Sequence, residues 1–256
     1  MIKTWLAHPL TKGLDIDSPE TTHLRRQIIQ EKNFLRRIYQ EWYQTIVASL
    51  PPGEGAILEL GAGGGFMSDF VPDLITSELF YCPAIRVVLD GLHLPFTSKS
   101  LRAIVMTNVL HHVAQPRRFF VEANRCVRVG GVVVMVEPWV TPWSRFVYTQ
   151  LHHEPFQPGT RSWELQNGGP LSTANNALPW IIFRRDRQEF EQEFPNWRIE
   201  LVKPIMPFCY LLSGGVSMRS LAPGWSFGLW KQLENVLGPW SDQLAMFAQI
   251  VLRRRD

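Results

Sequence analysis

Apolar residues recur at helical spacing in the first fifty residues of the chain. Between residues 20 and 50 they fall three, four or seven positions apart, as in a helix with one apolar face. These positions are Leu24, Ile28, Leu35, Tyr39, Trp42, Ile46 and Leu50. Ser18-Pro19 has the residue types of a helix start, and Pro51-Pro52-Gly53 ends the segment. The pattern predicts one or two amphipathic helices within an N-terminal helical segment, residues 18–50, which we expect to cover one edge of a sheet.

Short apolar runs follow this segment, with helical stretches between some of them. Runs of this length suit strands that are covered on both faces of a sheet. The runs lie at residues 57–60, 74–77, 85–89, 101–107, 132–136, 197–202 and 245–252. The helical stretches lie at residues 66–71, 116–128 and 186–194. Alternation of strand and helix predicts a parallel sheet with helices on both faces.

A glycine-rich turn joins the first predicted strand to the first helical stretch after it. Gly61, Gly63 and Gly65 allow a tight turn and let a ligand approach the backbone where a Cβ atom would block it. The first N–H groups of the helix over residues 66–71 would point at the same ligand. The outline is that of a nucleotide-like cofactor site, and a tight connection without a ligand is the plainer alternative.

Acidic residues lie at or near the ends of the first three predicted strands. Glu59 precedes the glycine turn, Glu78 follows it by nineteen residues, and Asp90 ends the third strand. Open α/β sheets bind ligands at this edge, and an acid at the distance of Glu78 can accept hydrogen bonds from ribose hydroxyls. Only eleven residues separate Glu78 from Asp90, so a turn must replace the usual helix there. For Glu78, a carboxylate on a surface loop is therefore the alternative.

The glycine spacing separates two kinds of cofactor. A dinucleotide site requires G-x-G-x-x-G, and Phe66 occupies its third glycine position. The pattern E-x-G-x-G-x-G fits without a mismatch, and it resembles motif I of the class I S-adenosylmethionine (SAM)-dependent methyltransferases. The segment from Asp90 to Phe96 is similar to the D-A-x-x-L-P-F segment of small-molecule, type 11-like members. Asn108-Val109-Leu110-His111-His112 and Glu137-Pro138 are also similar to family segments, so the resemblance covers about residues 54–137.

The resemblance implies a fold and a cofactor. The fold is α/β, Rossmann-like and doubly wound, with a mostly parallel seven-stranded sheet whose antiparallel last strand lies between the fifth and sixth. The cofactor is S-adenosyl-L-methionine, with Glu59 near its methionine amino end, Glu78 at the ribose and Asp90 at the adenine amino group. The other cofactor-binding positions implied are Gly61, Ala62, Gly63, Gly65, Gly91, Leu92 and Asn108.

Histidines are the candidates for a catalytic base. His111 and His112 stand in the segment that the family places beside the sulfonium, and we expect at most one of them to face the site because neighbouring helical residues point in different directions. His152 is the third candidate, with packing or surface roles as alternatives for all three. His152-His153-Glu154 lacks the spacing of H-E-x-x-H, so no metal site is expected. Cys126 is predicted to be a core residue.

Proline, glycine and aromatic residues mark two long segments after the predicted cofactor domain. Residues 138–195 and 205–243 are too rich in Trp and Phe for disordered loops, and loops this long are usually functional. We expect them to form a substrate cap on a single methyltransferase domain of residues 1–256. A chain of 256 residues fits one large domain, with a SAM-binding core at residues 54–137.

The composition of the chain indicates its cellular location and the classes of partner it can have. Three distant cysteines without a C-x-x-C pair favour a reduced, cytoplasmic location, and no apolar run reaches the length of a membrane span. The formal net charge is +3, but the basic residues are scattered in pairs, so nucleic acid is not expected as a partner. Arg25, Arg26, Arg36 and Arg37 leave peripheral membrane contact by the N-terminal helices open, beside a lid role.

The sequence therefore predicts SAM-dependent methyl transfer to a small molecule, such as a natural product, a sugar or a lipid-linked intermediate. Oxygen is the preferred acceptor atom because histidine bases are at hand. A non-catalytic SAM-binding or scaffold protein is one alternative. A nucleotide-dependent oxidoreductase is another, and Phe66 and the segment from Asp90 to Phe96 argue against it.

Overall fold

The computed structural model describes residues 17–83, 85–152, 154–165, 169 and 172–256. The predicted N-terminal segment is two helices, α1 (Pro19–Glu31) and α2 (Asn33–Ala48), with a break at Lys32. The Ser18 hydroxyl caps α1 by accepting a hydrogen bond from the backbone N–H of Thr21. Buried residues of both helices belong to the same core cluster.

The described residues form one seven-stranded sheet with the order β3-β2-β1-β4-β5-β7-β6. Its strands are β1 (Ala56–Leu60), β2 (Ile75–Glu78), β3 (Val87–Val88), β4 (Leu101–Thr107), β5 (Val127–Pro138), β6 (Trp197–Ile205) and β7 (Phe247–Arg254). Strands β1 to β5 pair in parallel, and β7 runs antiparallel to both β5 and β6. This confirms the predicted fold class, including the position of the last strand.

Seven further helices stand between or beside the strands in the described part of the chain. They are α3 (Pro116–Cys126), α4 (Pro142–Gln150), α5 (Leu178–Trp180), α6 (Arg187–Glu193), α7 (Cys209–Ser213), α8 (Phe227–Val236) and α9 (Ser241–Leu244). A π-helical turn at Ile181–Arg185 links α5 to α6. Helix α4 begins with a capping box, since Thr141 and Ser144 each bond the backbone N–H of the other.

The sheet divides the apolar core into two layers, because successive residues of a strand point to opposite faces. On one face, Ile104 and Met106 of β4 pack with α3, α5 and α6. On the other face, Ala103 and Val105 pack with α2. Helix α2 thus covers a face of the sheet and not the predicted edge. Its apolar side chains are buried there, so they are not available to a membrane surface.

Some predicted boundaries were wrong. The helix expected over residues 66–71 is a single 3₁₀ turn, Met67–Asp69, because the Phe66 side chain is buried against α2 and Pro72 ends the segment. Helix α3 ends at Cys126 because β5 already begins at Val127. None of the described helices is both long and apolar enough to cross a membrane.

Candidate functional site

A cavity of about 500 Å³ opens at the carboxyl ends of the parallel strands. Its size lies within the range of small-molecule sites, which is about 300–1,000 Å³. All residues predicted for the cofactor or for catalysis contribute to its lining. They are Glu59, Gly61, Ala62, Gly63, Gly65, Glu78, Asp90, Gly91, Leu92, Asn108, His111, His112 and His152. The fold thus brings together positions that are almost a hundred residues apart, while the role of each stays a prediction.

The glycine turn is held between the loop after β4 and helix α1. Gly61 has a φ of +64°, and a Cβ atom there would lie 2.5 Å from Cγ2 of Val109. A Cβ atom on Gly64 would lie 2.7 Å from the backbone nitrogen of Arg26 in α1. Real Cβ atoms do not approach other atoms so closely. Glycine is therefore required at both positions by the packing of the protein itself, before any ligand is considered.

Helices α1 and α2 supply polar groups around the turn that sequence reasoning missed. A three-residue 3₁₀ turn lacks the aligned N–H groups expected of a helix at this place. Instead, the Arg26 guanidinium donates to the carbonyl of Gly65, and the backbone N–H of Phe66 donates to the Tyr43 hydroxyl at 3.2 Å. Arg25, Tyr39 and Tyr43 line the cavity. Tyr39 belonged to an apolar helical stripe, so only the folded packing shows that it also borders the site.

Two buried carboxyl groups flank the glycine turn. Glu59 and Glu78 are 3% and 7% exposed. Burial and the negative charge of Glu78 raise the pKa of Glu59 to about 8, against the opposing charge of Arg26. Burial also raises the pKa of Glu78, although the backbone N–H of Leu79 donates to Oε2 at 3.0 Å. Two buried carboxyl groups favour a ligand that carries a positive charge and hydroxyl groups able to donate hydrogen bonds.

Asp90 lies at the more open end of the cavity, two residues after β3. Its side chain is 46% exposed, and Oδ1 accepts a hydrogen bond from the backbone N–H of Leu92 at 2.8 Å. This bond shapes the Asp90-Gly91-Leu92 turn and leaves Oδ2 3.6 Å from Nδ1 of His93. The aspartate is therefore positioned by its own turn, with one carboxylate oxygen in reach of a ligand.

The loop after β4 places His111 against the end of β5. Nδ1 of His111 lies 2.7 Å from Oε2 of Glu137, and both side chains are almost fully buried. On the other side of the ring, Nε2 lies 3.7 Å from Oε2 of Glu154. Burial alone would lower the pKa of His111, but hydrogen bonds and negative charge from Glu137 and Glu154 raise it to about 9. Without further ligands, this histidine carries a proton at neutral pH.

His112 lies beside His111, with ring centres 4.2 Å apart. Its Nδ1 is 3.0 Å from the carbonyl oxygen of Thr173, and its Nε2 is 3.9 Å from Oε1 of Glu154. Burial and the positive charge of His111 lower the pKa of His112 to about 3. Burial would raise the pKa of Glu154, but the contacts with His111 and the nearby His152 hold it well below its usual range.

The prediction that at most one of the two adjacent histidines faces the site was wrong. Leu110–His112 is a 3₁₀ turn, and both imidazole rings line the cavity. His152 borders the same group, with Nδ1 3.8 Å from Oε2 of Glu154. Glu154 comes from the segment after α4, and no local sequence pattern predicted its contact with His111 and His112. His153, the remaining residue of the predicted surface cluster, lies outside the described residues.

The two predicted cap segments contribute the wall opposite the sheet. Tyr148, Thr173 and Asn176 line the cavity from the first segment, and Tyr210 and residues 214–218 do so from the second. The second segment is tied to the helix break, because Nζ of Lys32 donates to the carbonyls of Gly215 and Met218 at 2.6 and 2.8 Å. Other aromatic residues of the cap segments pack in the core and do not line the cavity. Trp163, for example, is buried in the core beside α6.

Comparisons with known proteins agree with this architecture. Residues 58–135 match the sequence model of a family described as a methyltransferase domain. No curated protein matches the chain by sequence. A SAM-dependent methyltransferase of Thermotoga maritima, described as a possible histamine N-methyltransferase, is similar in structure with a TM-score of 0.55. It is 13% identical, with 91% of this chain and 99% of that chain covered.

A second solved structure covers still more of the chain. It is the geranyl diphosphate C-methyltransferase of Streptomyces coelicolor A3(2), in complex with Mg²⁺, geranyl diphosphate and S-adenosyl-L-homocysteine. It is 13% identical, covers 98% of this chain and 90% of its own, and has a TM-score of 0.48. At such identities, structural likeness concerns the fold.

Proposed function

We propose that the chain is a class I SAM-dependent methyltransferase and that it transfers a methyl group from SAM to a small molecule bound in the cavity. One observation carries the proposal. Two buried carboxyl groups with raised pKa, Glu59 and Glu78, flank a glycine turn that opens into a cavity of about 500 Å³. A ligand with an ammonium group and ribose hydroxyls would satisfy both carboxyl groups.

We assign the cofactor to the half of the cavity along β1, β2 and β3. Glu59 would hold the methionine ammonium and Glu78 the ribose hydroxyls. Asp90 would accept from the adenine amino group, with Gly91 and Leu92 beside the ring. The sulfonium would then lie near the loop after β4, where Asn108 has a φ of +58° and turns the chain towards the two histidines.

We assign the acceptor to the half lined by His111, His112 and the cap segments. Tyr148 and Asn176 add a hydroxyl and an amide to this half. In the reaction, the acceptor atom forms a bond to the methyl carbon while the bond from that carbon to sulfur breaks. The electron pair would stay on sulfur, so a neutral thioether would leave, and the proton of the acceptor would pass to water. Holding the two reactants in line can supply about 7–11 kcal/mol of the barrier reduction.

Oxygen as the acceptor atom stays a prediction, and its original support is weaker in the folded protein. The preference for oxygen was based on histidine bases. His111 is already protonated at neutral pH and His112 is a weak base, as their pKa values of about 9 and about 3 indicate. Activation of a hydroxyl would have to come from His152 or from a group that the cluster binds.

The test is a thermal shift of the purified protein with S-adenosylhomocysteine and, in parallel, with NAD. A ligand at about 100 times its dissociation constant should stabilise the fold by about 2.7 kcal/mol. We expect stabilisation by S-adenosylhomocysteine alone, weakened about tenfold or more in affinity by Glu78→Gln and by Asp90→Asn. Glu54→Gln, an exposed carboxylate before β1, is the matched control. Stabilisation by NAD alone, or unchanged affinity in both site variants, would contradict the assignment.

Turnover separates an enzyme from a non-catalytic SAM-binding protein. The protein is incubated with SAM that carries a deuterated methyl group and with small-molecule extracts, and products are detected by mass spectrometry. We expect a labelled product that disappears in Glu59→Gln. Cofactor binding without transfer to any extract fraction would favour the scaffold alternative.

A further inference from the structure

We propose that His111, His112 and Glu154 form a binding site for one divalent transition-metal ion of the zinc type, on the acceptor side of the cavity. One ligand atom from each residue can be chosen so that all three atoms lie within 4.8 Å of one another. Two neighbouring residues of the loop after β4 provide the nitrogens, and the first cap segment provides the carboxylate. The binding of the ion is inferred from this geometry alone, and its use in methyl transfer rests on the proposed function.

The distances are close to those of a coordinated ion. Nε2 of His111 and Nε2 of His112 lie 3.7 and 3.9 Å from the two oxygens of Glu154. Two ligand atoms on a tetrahedral zinc ion are about 3.3 Å apart, because each bond is about 2.0–2.1 Å long. Each of the two contacts with Glu154 is therefore about half an ångström longer than the spacing of two zinc ligands.

The surroundings of the three groups are those of metal ligands. A histidine that binds a metal usually donates its second N–H to a carboxylate or a backbone carbonyl, which fixes the ring and its tautomer. Nδ1 of His111 is 2.7 Å from Glu137, and Nδ1 of His112 is 3.0 Å from the carbonyl oxygen of Thr173. Both contacts leave Nε2 as the coordinating nitrogen. The amide of Asn176 donates to Oε2 of Glu154 at 3.1 Å and orients the carboxylate.

The number of ligands indicates an open site. Structural zinc sites use four protein ligands, whereas catalytic sites use three and leave a position for water or substrate. Here three residues line a cavity large enough for a small molecule. Two imidazoles and one carboxylate suit Zn²⁺, Fe²⁺ or Co²⁺ rather than Mg²⁺ or Ca²⁺, which prefer oxygen ligands. The open position would take an oxygen atom of the acceptor.

This position gives the ion a defined task in the proposed reaction. A hydroxyl bound to a divalent ion has a lower pKa, so it can release its proton to water before methyl transfer. The oxygen then forms the bond to the methyl carbon, the bond from carbon to sulfur breaks, and the thioether leaves. The acceptor class is therefore an alcohol or phenol whose hydroxyl can coordinate the ion.

The experiment measures metal binding separately from activity. Protein freed of metal by chelation is titrated with Zn²⁺ by calorimetry, and with Co²⁺ by visible absorption, which reports the coordination geometry of the ion. We expect one ion per chain and at least a hundredfold weaker binding in His112→Ala and in Glu154→Gln. His23→Ala, an exposed histidine on α1, should bind as the wild type does. Mg²⁺ should not compete at equal concentration.

Two results would overturn the metal site. One is the absence of stoichiometric binding in folded wild-type protein, which would leave the cluster as a network of ion pairs. The other is an ion that stays bound in both ligand variants. Each variant is checked for folding by circular dichroism and for S-adenosylhomocysteine binding. If metal-free protein binds the cofactor but the metal site fails, the proposed function still stands. If the protein binds metal but not the cofactor, the metal site stands and the proposed function fails.

Discussion

Nδ1 of His111 lies 2.7 Å from Oε2 of Glu137, the residue before the end of β5. The other oxygen of this fully buried carboxylate accepts hydrogen bonds from the backbone N–H groups of Val109 and Leu110, both at 2.8 Å. One side chain on β5 therefore fixes both the backbone and the histidine of the loop after β4. Glu137 belongs to the Glu137-Pro138 segment of the sequence, yet no role was predicted for it.

Glu137→Gln should reduce the pKa of His111 and the stability of the protein. The amide keeps one acceptor oxygen but loses the negative charge, and hydrogen bonds to charged groups contribute about 1.5–3 kcal/mol each. We expect a loss of about 1–3 kcal/mol in the free energy of unfolding. By NMR titration, the pKa of His111 should fall from about 9. Glu200→Gln, on the exposed side of β6, is the control. An unchanged pKa of His111 would show that Glu137 does not hold its proton.

Gly61→Ala should destabilise the protein through a clash as well as through backbone strain. Gly61 and Gly130 both have positive φ, +64° and +76°, but only Gly61 has atoms near an added Cβ. Gly130→Ala should cost about 1–2 kcal/mol from left-handed strain alone. Gly61→Ala should cost about 1–3 kcal/mol more, because the Cβ meets Val109. Denaturant unfolding of both variants measures the difference, and equal losses would contradict the tight packing of the turn.

The contribution of Glu59 to the stability of the ligand-free protein should fall as pH rises from about 5 to about 8. The carboxyl group of Glu59 has a usual pKa of 4.5 and a folded pKa of about 8. Between these values the folded state holds a proton that the unfolded state has lost, so raising the pH favours unfolding. Above about pH 8 this contribution no longer changes. The charges and titratable groups that face Glu59 are Glu78 on β2, Arg26 on α1 and Tyr43 on α2.

Denaturant unfolding across this pH range, with Glu59→Gln as the comparison, checks the prediction. The amide cannot titrate, so the stability of the wild type relative to the variant should decrease as pH rises. Identical pH profiles would mean that Glu59 does not change its protonation on folding.

Lys32→Met should loosen the second cap segment. The ammonium of Lys32 donates to the carbonyls of Gly215 and Met218, and burial lowers its pKa to about 8. Loss of both bonds should cost roughly 1–3 kcal/mol and increase hydrogen exchange of the amides in residues 214–218. Lys203→Met, an exposed lysine on β6, should change neither. If hydrogen exchange of these amides is unchanged in Lys32→Met, contacts other than those of Lys32 hold this segment in place.

The half of the cavity that we assign to the cofactor was more predictable than the half that we assign to the acceptor, for a physical reason. Glu59, Gly61 and Gly63 lie within one strand and one turn, so their spacing along the chain already determines their arrangement in space. The acids Glu78 and Asp90 follow from the rule that parallel strands end at one edge. Strand order could be predicted because the alternation of strand and helix permits few topologies.

The half of the cavity that we assign to the acceptor depends on contacts between distant segments. Glu154 meets His111 and His112 only because the first cap segment folds back over the strand ends. The helix expected after the glycine turn is another example. Phe66 packs against Tyr43 of α2, and Arg26 of α1 donates to the carbonyl of Gly65. The N-terminal helices therefore fill the space expected for that helix and supply polar groups beside the glycine turn in its place. Hydrophobic periodicity along the sequence cannot predict that one segment takes the place of another in the folded protein.

Strand β7, the last of the seven described strands along the chain, lies inside the sheet between β5 and β6. During synthesis, both flanking strands therefore keep unpaired backbone N–H and C=O groups until residues 247–254 have left the ribosome. Exposed edges of this kind pair readily with other chains and are hazards for aggregation. A nascent chain that stalls before Phe247 should depend on chaperones more than one that stalls elsewhere.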